Sequence, residues 1–140
     1  MSETSRIVVG IDKSPAARAA LVWAVREAKR TNASVLAVSV CQLGMEVPHK
    51  EDLRAALESV GPEADGIEVE LQTPHGAAGP VLVELSKHAP CLVVGGTGYL
   101  KRDLLVFSSI TTFCLRHALC PVVVVPVDEE PPHAGPLMLR

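Results

Sequence analysis

Five short runs rich in β-branched residues, separated by stretches of helical character, constrain this fold more than any other feature of the chain. They cover residues 7–11, 35–40, 67–71, 91–94 and 122–125. The first, second, fourth and fifth are nearly continuous in apolar side chains, as strands covered on both faces of a parallel sheet tend to be. The third alternates Ile67, Val69 and Leu71 with Glu68 and Glu70, the pattern of a half-exposed strand, which places it at an edge.

Helical segments occupy the intervals. Ser14 and Pro15 supply an N-cap and a proline at the first helical position. Leu21, Ala24, Val25 and Ala28 then recur at helical spacing, with Arg18, Arg26, Lys29 and Arg30 largely off that stripe. The later basic residues complement the negative end of the helix dipole, and Thr31 and Asn32 end the helix. A second helix is expected over 50–59, with Leu53, Ala56 and Leu57 inward and Gly61-Pro62 as its break. A third begins near Gly79-Pro80, carries Val81, Leu82 and Leu85, and stops before Pro90. A fourth begins near Ser108 and sets Ile110, Phe113, Cys114 and His117 on one apolar face.

The resulting β-α-β-α-β-α-β-α-β order specifies an α/β fold: a five-stranded parallel sheet with helices on both faces and right-handed crossovers. The expected strand order is 3-2-1-4-5, a Rossmann-like arrangement that leaves the half-exposed third strand at an edge. A chain of 140 residues is about one domain's worth, so residues 1–127 are read as a single α/β domain. The tail, 128–140, carries Pro131, Pro132 and Pro136 beside acidic residues and is expected to be mobile. The echo between His88-Ala-Pro-Cys91 and His117-Ala-Leu-Cys120 reflects two helix ends running into buried strands rather than a duplicated site.

Composition narrows the function classes. With 48% hydrophobic and 21% charged residues the chain is an ordinary globular one, and no apolar run reaches the roughly 20 residues of a membrane span. The opening residues lack a basic segment followed by an apolar stretch and a cleavage site, so secretion is not expected. A formal net charge of −3, a pI near 5.9 and only four scattered aromatics (Trp23, Tyr99, Phe107 and Phe113) argue against nucleic acid as a partner. Cys41, Cys91, Cys114 and Cys120 form no C-x-x-C pair and no zinc-finger spacing with histidine. They read as small buried hydrophobes in a cytoplasmic protein.

In an open parallel sheet, ligands bind beyond the carboxyl ends of the strands where the strand order reverses, here between the first and fourth strands. Residues 10–14 and 95–98 leave those strands. Gly95-Gly96-Thr97-Gly98 offers backbone N–H groups that a phosphate can approach, or else a plain tight turn. Ser108, Ser109, Ile110 and Thr111 open the fourth helix, whose positive end forms an anion site. A serine there serves equally as an N-cap. Asp12 suits a ribose hydroxyl or a metal, or caps the following helix. Val40 suits the flat face of adenine, or is core.

With these residues the chain resembles a universal stress protein of the UspA family from Arg6 to Val125. The resemblance rests on Val-Gly-Ile-Asp-Lys-Ser-Pro at 9–15, Leu-Val-Val-Gly at 92–95 and His-Ala-Leu-Cys-Pro-Val-Val-Val-Val at 117–125. ATP-binding members carry Gly, two residues, Gly, nine residues, then Gly and Ser or Thr. Gly95, Gly98 and Ser109 match that pattern, while Ser108 stands where the third glycine belongs. If position 108 required a left-handed backbone, its side chain would cost about 1–2 kcal/mol. A glycine-rich middle segment of the family is replaced by residues 99–103, where Lys101 and Arg102 either face the phosphates or lie in a solvated loop.

The resemblance implies an adenine nucleotide alpha hydrolase-like fold and a stress-response role. It implies ATP held by Gly10, Ile11, Asp12 and Val40 around the nucleoside, and by Gly95, Gly98, Ser108, Ser109, Ile110 and Thr111 around the phosphates. Mg²⁺ would bridge phosphate oxygens and water. It also implies a homodimer through the last strand, in agreement with the exposed apolar edge that Val122, Val123, Val124 and Val125 would form. The alternatives are a dimeric scaffold that has lost nucleotide and a slow ATP hydrolase, although no catalytic base can be named among His75, His88 and His117. A flavin carrier fits poorly, because no aromatic-rich loop is present.

Overall fold

The computed structural model describes residues 5–12, 16–96, 99–101, 104–106 and 108–126. In chain order the elements are β1 (Arg6–Gly10), α1 (Ala16–Thr31), β2 (Ser34–Val38), α2 (Glu46–Val60), β3 (Val69–Gln72), α3 (Ala78–Leu85), β4 (Leu92–Gly96), β5 (Tyr99–Lys101), β6 (Leu104–Val106), α4 (Ser109–His117) and β7 (Val122–Pro126). Strands β3, β2, β1, β4 and β7 form one sheet in that order, every pairing parallel. This is the expected 3-2-1-4-5 order, with β7 as the fifth strand of the sheet. Strands β5 and β6 pair separately as an antiparallel hairpin between β4 and α4, an element that the sequence reading treated as a loop.

Side chains alternate through the sheet. Ile7, Val9, Val35, Ala37 and Val93 face α1 and α2, while Val8, Leu36, Val38, Leu92 and Val94 face α3 and α4. Helix α1 lays Ala16, Ala17, Ala20, Leu21, Ala24, Val25 and Ala28 on the sheet, all buried. Its alanine stripe lets the helix axis come close to the strands. Burying a side chain such as Leu21 stabilises the fold by about 1.5–3 kcal/mol. Arg26 leaves this face to meet Glu63 at 2.7 Å, and Asn32, with φ of 59°, ends the helix.

Three expectations need correction. Helix α2 begins at Glu46, four residues before the expected start, and Pro48 lies inside its first turn. Proline is tolerated there because first-turn N–H groups have no intrahelical acceptor. Strand β4 continues through Gly95 and Gly96, which pair with Val125 and Pro126 instead of opening a loop. On α4 the buried residues are Thr111 and Cys114, whereas His117 is exposed and rests its ring 4.3 Å from that of Phe113. The expected cap at Ser14 and Pro15, together with Lys13, Arg102 and residues 127–140, lies outside the described residues.

The two sheet edges differ. On β3, Glu70 pairs with Arg6 at 2.9 Å and Lys50 donates to the Leu71 carbonyl at 3.1 Å. On β7, Val122 to Val125 are all half-buried.

Candidate functional site

The ladder runs slightly past the ends of β1 and β2. The Ile11 N–H donates to the Val38 carbonyl at 2.8 Å, and the Ser39 N–H to the Gln72 carbonyl at 3.0 Å. Beyond these bonds the chain parts on either side of the switch point, and a crevice of about 210 Å³ opens. That is below the roughly 300–1,000 Å³ of most small-molecule pockets.

Of the ten predicted site residues, Gly10, Ile11, Asp12, Val40, Gly95, Ser108, Ile110 and Thr111 all line this one crevice. Ser109 lies in the first turn of α4, exposed and outside the lining. Gly98 lies outside the described residues. The sequence reading missed Ser39, His49 and Asp52, which also line the crevice. His49 and Asp52 stand three residues apart on α2, the spacing of one helix face. Asp52 falls within the helix expected over 50–59, whereas His49 lies just before that expected start and joins the same face only because α2 begins at Glu46. Val38, Leu82 and Val94 complete the apolar walls.

Local geometry explains why these residues take their places. A Cβ on Gly95 would lie 2.6 Å from the Ala16 Cβ and 3.0 Å from its backbone carbonyl. Glycine is therefore required at 95 by the close approach of α1, whatever binds on the other side. Ser108 is the N-cap of α4, with φ −63° and ψ 161°. This is extended backbone, so the serine in place of the family's glycine carries no left-handed strain. Its Oγ accepts the Thr111 N–H at 3.2 Å and donates to Thr111 Oγ1 at 3.1 Å. Thr111 Oγ1 in turn donates to the Gly95 carbonyl at 3.4 Å, tying the start of α4 to β4. The N–H groups of Ser109 and Ile110, in the same first turn, have no intrahelical acceptor and point toward the positive end of the helix.

Across the crevice, the buried Ser39 hydroxyl lies 2.7 Å from His49 Nδ1, which fixes the imidazole against β2. Asp12 and Asp52 add carboxylates, and among the described lining residues there is no lysine or arginine. The crevice thus combines apolar walls, two acidic groups and one helix N-terminus. Such a site accepts a ligand with a flat apolar part, hydroxyl donors and an anionic end.

An open parallel α/β sheet with its crevice at the strand-order reversal is a Rossmann-like, adenine nucleotide alpha hydrolase-like architecture. Residues 3–126 match the universal stress protein family, and the chain belongs to that family. Universal stress protein Rv2624c of Mycobacterium tuberculosis is 33% identical over 135 residues, covering 90% of this chain and 50% of its own length. The chain spans about half the length of the curated relatives it matches. Among solved structures, a universal stress protein from Archaeoglobus fulgidus is 25% identical with a TM-score of 0.74, over 88% of this chain and 99% of that one. A structure of the universal stress protein from the same organism in complex with dAMP is 24% identical with a TM-score of 0.68, over 89% of this chain and 99% of that one. Among the described residues, no helix is long and apolar enough to cross a membrane.

Proposed function

We propose that this chain is a cytoplasmic stress-response regulator that binds an adenine nucleotide in the crevice, with ATP as the functional ligand. The carrying observation is the convergence of Asp12, Val40, Gly95 and the first turn of α4 on one crevice at the switch point. In this reading adenine packs against Val38, Val40 and Leu82, the ribose hydroxyls donate to Asp12, and phosphate oxygens accept from the α4 N-terminus. The complex of a relative of this fold with dAMP supports an adenine nucleotide in general.

The two carboxylates in the lining favour a ligand whose phosphates arrive partly neutralised, as they would with Mg²⁺ held by phosphate oxygens and water. Ser108 fits the reading, because as a cap it leaves the Ser109 and Ile110 N–H groups available. The half-buried valines of β7 support pairing of two chains through that edge. Four unpaired cysteines fit a reducing compartment.

Calorimetric titration with ATP, ADP and AMP, each with and without Mg²⁺, tests the proposal. The expected result is one saturable site per chain, weakened at least about tenfold, or about 1.4 kcal/mol, by Asp12→Ala. Absence of heat, together with an unchanged melting temperature at millimolar nucleotide, overturns it. Ser108→Gly is expected to leave affinity unchanged, and a large gain would show that the hydroxyl crowds the phosphates. Sedimentation at the mass of a single chain would remove the dimer. Slow hydrolysis is the second reading, favoured by His49 in the crevice lining. It requires phosphate release that His49→Ala abolishes.

A further inference from the structure

Beside the crevice, and sharing none of its lining residues, stands a second cluster of chemically distinctive side chains. Cys41 follows β2 and His75 follows β3, and the two are joined by an isolated parallel bridge. The Cys41 N–H donates to the Pro74 carbonyl at 2.9 Å and the Gly76 N–H to the Cys41 carbonyl at 3.2 Å. A tight turn then reverses the chain: Gly44 has φ of 91°, and the Met45 N–H donates to the Gln42 carbonyl at 3.0 Å. That turn delivers Glu46, the first residue of α2, to the same spot. Backbone N–H groups of Glu46 itself and Gly44 bond its carboxylate, which also meets His75 Nε2, and these bonds hold the carboxyl below its ordinary range.

The Cys41 sulfur, a Glu46 carboxylate oxygen and a His75 ring nitrogen all lie within 4.8 Å of one another. Donors around a tetrahedral zinc ion, with bonds of about 2.0–2.3 Å, sit roughly 3.3–3.6 Å apart. An ion entering between Glu46 and His75, which now touch each other, would therefore part that pair and draw the Cys41 sulfur in. We propose that Cys41, Glu46 and His75 form a binding site for a borderline divalent metal, Zn²⁺ foremost, with water in the fourth position. A thiolate, an imidazole and a carboxylate suit zinc, whereas Mg²⁺ and Ca²⁺ take oxygen ligands. One thiolate and one carboxylate also balance the two positive charges of the ion.

Access comes from the solvent side. Cys41 is 4% exposed, while the Glu46 and His75 side chains are 38% and 45% exposed. In the metal-free protein the thiol donates to the Thr73 carbonyl at 3.6 Å, and burial followed by the Glu46 charge pushes its pKa up. Binding therefore displaces one thiol proton to solvent as the metal–sulfur bond forms. The ion would clip the β2–α2 connection to the β3–α3 connection and fix the start of α2, the helix that carries His49 and Asp52 to the crevice.

Titration of the full chain, stripped with a chelator and free of nucleotide, with Co²⁺ and then Zn²⁺ decides the matter. The expected signature is a thiolate-to-cobalt charge-transfer band at one equivalent per chain, bleached by Zn²⁺. It is lost in Cys41→Ser and kept in Cys120→Ser. Glu46→Gln and His75→Ala, both at solvent-accessible positions, are expected to weaken Zn²⁺ binding by at least about tenfold, since outer-shell changes alone cost about 10–100-fold. No charge-transfer band, or a band that survives Cys41→Ser, overturns the site. If Cys41→Ser fails to fold, unchanged Zn²⁺ affinity in His75→Ala overturns it equally.

Discussion

On the face of the sheet covered by α1 and α2, sixteen buried residues form one continuous cluster, whereas seven do so on the face covered by α3 and α4, among the described residues. The first face is sealed by a long helix whose alanines sit against the strands. The second is covered by shorter helices, and its rim residues Ala78, Leu82, Ile110 and Thr111 double as crevice lining. One face thus acts as a rigid platform, and the other leaves room for a guest. A protein that must hold its loops in place while exchanging a ligand gains from this division of labour.

The contrast can be broken by substitution. Leu21→Ala, on the sealed face at 0% exposure, is expected to cost about 3–5 kcal/mol in chemical denaturation, because the fully packed site collapses little. Leu82→Ala, beside the crevice, is expected at the low end, about 2 kcal/mol, since part of its surroundings is already open. Equal losses at the two positions would mean that the faces are equally packed.

Overpacking sharpens the comparison at the strand ends. Gly95→Ala drives a Cβ into the Ala16 backbone and is expected to cost about 1–3 kcal/mol. Gly10→Ala meets only the tip of the Leu82 side chain, at 2.9 Å, which can turn aside, so its melting temperature should fall less. Ile110→Glu, at a 37% exposed position on the crevice mouth, is expected to change stability by no more than about 0.5 kcal/mol. Its added carboxylate beside the α4 N-terminus should still weaken nucleotide binding measured by calorimetry.

The smallest effect lies on the platform's rim. Arg26 holds the Glu63 carboxyl below its ordinary value of 4.5, first through hydrogen bonds and then through its charge. A depressed carboxyl contributes stability in full above that ordinary value and loses it as pH falls through the folded value. Glu63→Gln is therefore expected to unfold slightly more easily than the parent at neutral pH, and no more easily in strong acid. The difference should be slight, as both side chains are exposed to solvent.

Much of this architecture was legible in the residues. Continuous apolar runs marked β1, β2, β4 and β7 as interior or parallel strands, and the glutamates of β3 marked an edge. Topology alone then put Asp12 and Gly95 on either side of the switch point. What escaped notice has physical reasons. The apolar stripe of Leu53, Ala56 and Leu57 marks only the later turns of α2. Pro48 in the first turn sacrifices no hydrogen bond, so the helix begins at Glu46 and brings His49 onto the face of Asp52. The β5–β6 hairpin has three-residue strands and no glycine or asparagine between them. His117 falls at helical spacing from Phe113, but Phe113 is half-buried against Gly79 of α3 while His117 lies beyond that contact, exposed. Cys41, Glu46 and His75 follow no single local spacing rule, because the bridge between neighbouring strand ends unites Cys41 with His75 and the turn at Gly44 adds Glu46.

The bond from Thr111 to the Gly95 carbonyl, and the contact of Gly95 with Ala16, join the beginning and the end of the domain at a single spot. A guest seated there acts as a keystone. Neither half of the polypeptide can grip it alone, so its protective effect should emerge only when the whole chain is assembled, and it should resist global opening rather than local fraying.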